Sequence, residues 1–248
     1  MKNIWVPLFL VLAAAGLCIS CGSDHSSQNN ASSQFSAQDL KGSYVFSATG
    51  TDLSDGDYFI AGSFQADGKG NISNGIEDLN LGSGVDSAAP FTGTYIVDSG
   101  GNAIVNISDE SGVATFFNVA LAKSGSSQIT SYNGTGSGTL EPQNTSGFSN
   151  MGMFTFSLTG EGEGQIMGSG SFTTGAAGVL SGTENFADGI LMKNNANIGG
   201  VLEMPFDGGR GLATIGSNQF SYYVVSPNEI ILAGLDEASL IHGTAQKQ

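Results

Sequence analysis

Five segments of this chain recur, in the same order, about 105 to 110 positions further on. YVFSATG (residues 44–50) returns as FTFSLTG (154–160), and GSFQADGKGNISNGIED (62–78) as GSFTTGAAGVLSGTEN (170–185). DSGGNAIVNI (98–107) returns as DGGRGLATI (207–215). ATFFNVALAKSGSSQI lines up loosely with QFSYYVVSPNEII, and GTLEPQ (138–143) closes the first copy as GTAQKQ (243–248) closes the second. An ordered set of this kind marks an internal duplication. It predicts two β modules, over 42–143 and 151–248, joined by the polar, turn-rich link NTSGFSN (144–150).

Each copy reads as short strands. Tyr44, Phe46 and Ala48 alternate with Val45 and Ser47; Tyr58, Ile60, Phe64 and Ala66 share one face of the next segment. Phe91, Tyr95 and Val97, then Phe117, Val119 and Leu121, repeat the pattern. A period of two in β-branched and aromatic residues marks half-buried strands. Glycine- and asparagine-rich clusters between them (ADGKGN, DSGGN, KSGSS, YNGTGSG) supply tight hairpins. About eight strands are predicted per copy, near 43–50, 57–66, 70–80, 91–98, 102–109, 113–123, 127–132 and 136–142. Strands joined in sequence by tight turns make an antiparallel meander, and eight suffice to close a barrel. The fold expected is all-β: two tandem, small up-and-down barrels of lipocalin-like plan. Two β-sandwiches and a single 16-stranded barrel are the alternatives. A transmembrane barrel fits poorly, because the outward positions are mostly Ser, Thr, Asn and Gly rather than a continuous apolar band.

The string G-S-Y-x-F, then A-G-S-F-x-A-D-G-x-G-N-I-x-x-G-x-E-D, F-T-G-T-Y and G-T-L-E-P-Q, resembles a glycine-rich repeat of envelope proteins, mostly acidobacterial. It covers nearly all of residues 41–248. The resemblance implies an envelope address and a duplicated fold, and brings with it no catalytic residue.

The N-terminal segment agrees with that address. Lys2 is followed by an almost purely apolar run over 4–17, then LCISCGS. The run is short for a membrane span and suits a secretory leader. The segment around Cys21 resembles the lipobox of bacterial lipoproteins, with Cys18 standing where Leu is usual. The resemblance implies a signal peptide over 1–20, cleavage before Cys21 and a lipid on its thiol. Residues 21–41, rich in Ser, Asn and Gln, would then form a lipidated, disordered tether. Gly22 rather than Asp after the cysteine points towards the outer membrane. The chain holds 7 basic and 22 acidic residues, a formal net charge of −15. Such a surface repels nucleic acid and anionic headgroups, so the lipid would hold the membrane.

Inventory bounds the chemistry. The two cysteines both lie at the leader boundary, so no disulfide or Cys metal site is expected. The histidines are His25 and His242, too few for a nucleophile–His–acid set at any serine or for a nitrogen-rich metal site. No catalytic residue and no cofactor is expected. Asp52, Asp55 and Asp57 crowd one hairpin, as Glu161 and Glu163 crowd its counterpart; oxygen ligands of this kind suit calcium, and a solvated acidic loop is the reading favoured over it. Glu77 and Asp78 are neighbours on one strand, so they point to opposite faces. Tyr44, Phe46, Phe64, Tyr95 and Phe117 would either fill a barrel or line a cavity for a small apolar ligand. The two function classes are therefore a non-enzymatic structural, adhesive or binding module and a carrier of such a ligand; an envelope hydrolase is a distant third.

Overall fold

A computed structural model describes residues 34–52, 56–81, 84–109 and 114–248. Sixteen strands form two closed, antiparallel barrels in sequence order. The first contains β1 (Lys41–Asp52), β2 (Gly56–Asp67), β3 (Asn71–Asn80), β4 (Val85–Val97), β5 (Asn102–Asp109), β6 (Ala114–Ala120), β7 (Ser127–Tyr132) and β8 (Gly136–Pro142). The second contains β9 (Gly152–Glu161), β10 (Gln165–Thr174), β11 (Val179–Asp188), β12 (Leu191–Leu202), β13 (Arg210–Ile215), β14 (Asn218–Ser226), β15 (Glu229–Gly234) and β16 (Leu240–Lys247). The expected meander and its barrel closure are both present; sandwiches and a single large barrel are excluded.

The repeated closing hexapeptides are the strands that seal each barrel. β8 pairs with β1 and β16 with β9, with Ala48 opposite Gly138 and Leu158 opposite Gly243. The strands approach so closely here that only glycine fits. A Cβ at Gly138 would lie 1.8 Å from the Ser47 carbonyl oxygen, and one at Gly243 1.9 Å from that of Ser157.

Inside the first barrel the aromatics pack on one another. Phe46 stacks on Phe117 at 5.6 Å, and Phe64 lies 5.8 Å from Tyr44 and 6.3 Å from Phe91. The second core is built the same way around Phe154, Phe156 and Phe172. Inward side chains fill an eight-stranded barrel of this size.

The folded body starts earlier than the tether expected over 21–41. Ala37–Leu40 makes a short 3-10 turn at the base of the first barrel, with Leu40 fully buried. The Tyr95 hydroxyl donates to the carbonyls of Ala37 (3.1 Å) and Leu40 (3.0 Å). Lys123 pairs with Asp39 at 2.8 Å and lies over the Phe35 ring.

The two barrels belong to one compact unit, Gln34–Gln248. Outward residues of β1 and β2 (Val45, Phe59, Ala61) form a single buried cluster with Tyr223 and Val225 of β14, Ile231 and Ala233 of β15, and Leu240 of β16. Here the expectation of polar outward positions fails. These strands are buried on both faces, which is why they read as continuous apolar runs (YFIA, YYVV, IILA) instead of alternating. The interface also holds polar groups. The Asn80 side-chain amide donates to the carbonyls of Gly234, Asp236 and Ser239, and the Gln143 amide to those of Gly208 and Val224.

Candidate functional site: inward glutamates and an open seam

The residues singled out in the sequence fall in different places. Cys21 and Asp55 lie outside the described residues. Asp52 ends β1, and Asp57, in β2, accepts a 2.6 Å hydrogen bond from the Thr51 hydroxyl. Among the described residues no three acidic or histidine side chains gather around a point that could hold a metal. Tyr44, Phe46, Phe64, Tyr95 and Phe117 all belong to the first core, where Tyr44 and Phe46 pack on Phe64 and Phe46 stacks on Phe117.

His242 on β16 is stacked face to face on Phe59 of the other barrel, with ring centroids 4.3 Å apart. Burial pushes its pKa down to about 4, so the ring is neutral at pH 7.

Glu77 and Asp78 do point to opposite faces, and each meets a distinct environment. Asp78 faces the other barrel. The Arg210 guanidinium donates to both of its oxygens, from Nε at 2.8 Å and from an NH2 group at 2.7 Å; the Tyr223 hydroxyl adds a 2.5 Å bond and Ser87 a 2.7 Å bond. Burial disfavours the Asp78 carboxylate, yet the Arg210 and Tyr223 bonds outweigh it and hold its pKa below the usual range. Arg210 is the sole arginine in the chain, and the second copy carries Asn185 in place of Asp78. The pairing is therefore a feature of the duplicated pair, not of the repeated unit.

Glu77 faces into the first barrel. It pairs across the ladder with Gly62, whose position abuts the Phe46 ring. Burial, with Asp86 and Asp109 nearby, raises its pKa to about 8. The repeat places Glu184 at the same rung of the second barrel, opposite Gly170. Glu184 is 4% exposed, and burial raises its pKa against the opposing effect of Lys193, whose Nζ is 3.9 Å away. In each glutamate the Oε2 atom is buried with no hydrogen-bond partner. Alignment of GIED with GTEN was the sequence signal for this equivalence.

The barrels differ beside these acids. In the first, β4 and β5 pair over seven rungs, from Phe91–Asp109 to Val97–Ala103. In the second, β12 and β13 pair over three, from Gly200–Ile215 to Leu202–Ala213. β13 ends at Ile215, leaving residues 191–199 of β12 without a β13 rung alongside. A cavity of about 370 Å³ opens in that gap, lined by Glu184, Lys193, Ala196, Asn197, Gly216 and Ser217, with Ile198 and Gly199.

No protein family matches this chain, and no curated protein does. Among solved structures, the crystal structure of kievitone hydratase from Nectria haematococca is similar at 9% identity, over 88% of this chain and 94% of that chain, with a TM-score of 0.23. A score that low carries no argument about fold or activity, so the chain is defined by its own geometry: two closed barrels, fused along a buried face, each holding one inward glutamate.

Proposed function

We propose that this is a lipid-anchored cell-envelope protein with a non-enzymatic structural, adhesive or binding role, held at the outer membrane through Cys21. The observation behind it is the body itself: two barrels filled by their own side chains and locked face to face through Val45, Phe59, Tyr223 and the Asp78–Arg210 pair. Such a body suits rigid display outside the cell. His242, neutral and stacked on Phe59, is poorly suited to act as a base. The test is fractionation: Cys21→Ser should move the protein from the membrane to the soluble fraction. Continued sedimentation of the variant with membranes would remove the anchor from the proposal.

A second reading, a carrier of a small ligand, has one observation behind it. The largely neutral Glu77 carboxyl, inside the first barrel, has an oxygen without a partner, and a ligand's hydrogen-bond donor would satisfy it. Native mass spectrometry of the intact chain should then show a retained adduct that Glu77→Leu loses; bare protein at the sequence mass would dismiss the carrier.

A further inference from the structure

We infer that the open seam of the second barrel is a binding site for an extended peptide bearing a basic side chain, which adds to the free edge of β12 and places its cation against Glu184. The inference deepens the binding role proposed above by naming a ligand class.

Three observations converge. The first is the edge. Gly199 accepts a 3.0 Å hydrogen bond from the Gly216 N–H on the β13 side, after which β13 is absent. By strand alternation Asn197, two residues back and exposed, turns its N–H and C=O to that same side. An extended segment can bond to such groups as an added strand. The second is the acid. Glu184 is almost completely buried, lines the cavity and has an oxygen with no partner. A buried carboxyl without a donor costs free energy that a bound ammonium or guanidinium would recover. The third is the path. Glu184 pairs across the ladder with Ala196, the smallest side chain that β12 turns inward there, so a long basic side chain on an added strand can pass over Ala196 to the carboxyl. Lys193, 3.9 Å away and part-exposed, now shares that space. The chain's net charge of −15 favours a cationic partner over an anionic one.

Edge strands also invite unwanted pairing, and lysines and bulges blunt them. Lys193 and the irregular register between Glu184 and Phe186 fit that protective role as well. An edge that is merely protected should show no preference for a basic ligand, and this separates the two.

The test uses the full chain in detergent micelles at about 0.15 M salt, where remote surface charge is screened. The probes are the blocked peptide Thr-Val-Lys-Val-Thr, its Lys-to-Gln counterpart, and free butylamine, titrated by isothermal calorimetry to about 5 mM. The Lys peptide should bind at least about tenfold more tightly than the Gln peptide, and butylamine far more weakly than either. Glu184→Gln should abolish the preference for Lys. Asn197→Pro, which removes an edge N–H where proline is tolerated, should weaken both peptides. Lys193→Ala should tighten the Lys peptide by freeing the carboxyl. Equal binding of the two peptides, a Lys preference that survives Glu184→Gln, butylamine binding as well as the peptide, or no binding of any probe would each overturn the inference. Glu184→Gln keeps the shape of the side chain; should it still fail to fold, the Lys193→Ala and Asn197→Pro arms decide. Membrane release tests the anchor and titration tests the seam, so either can fail alone.

Discussion

Arg210 of the second barrel and Asp78 of the first form a two-point ion pair, 2.7 and 2.8 Å long, with side chains 7% and 2% exposed. Removing one partner leaves the other charge buried and alone, which costs on the order of 3–5 kcal/mol. Arg210→Ala should therefore lower the urea midpoint sharply. The double variant Asp78→Leu/Arg210→Met replaces both charges with apolar groups and should recover most of the loss. A double variant as unstable as the single one would show that the pair contributes more than its mutual compensation.

Glu77 sets a slope on the alkaline side. Its pKa is about 8 in the folded chain against an ordinary 4.5, so the folded state holds a proton that the unfolded state has released between those values. Stability should fall as pH rises from 4.5 to 8. Glu77→Gln keeps the shape, removes the ionisation, and should add on the order of 2 kcal/mol at pH 7 while flattening that part of the curve. Denaturant titrations at pH 5 and 8 provide the check.

His242 acts in the opposite direction. Its pKa, about 4 when folded against 6.5, means that the unfolded chain takes up the proton first as pH falls. Its contribution should be complete above pH 6.5 and be lost progressively down to pH 4. His242→Phe preserves a ring against Phe59 and should make the acid limb shallower, by on the order of 2 kcal/mol at pH 4. An unchanged acid limb would place the sensitivity elsewhere.

Gly138→Ala and Gly243→Ala should each destabilise by on the order of 2–4 kcal/mol, because the added methyl meets backbone carbonyls that cannot rotate away. The costs should be similar, since both sit at the same rung of their barrels. Thermal melts of the two variants measure this directly.

The period-two aromatics and the glycine-rich turns made the strands and their closure legible, because each inward residue of a small barrel must be apolar and each hairpin needs its turn. The duplication then placed Glu184 on the same rung as Glu77. The fused face was harder to read. Phe59, Ala61, Ile231 and Ala233 break the alternation, and a run of apolar residues on one strand does not say what covers its second face. Arg210 gave no signal either: its partner lies 132 positions away in the other copy, and Asn185 shows that the repeat does not carry the pair.

The apolar face shared by β1, β2, β14 and β15 has a consequence for how such a chain could have arisen. The face draws on β1 and β2 in one copy and on the counterparts of β6 and β7 in the other, so lone barrels meeting through it would associate head to tail, and reversibly. Joining the twins through residues 144–150 makes the encounter intramolecular, at an effective concentration set by a short leash. With the two barrels tethered the contact closes once, and its ion pair takes the aspartate from one face and the arginine from the other.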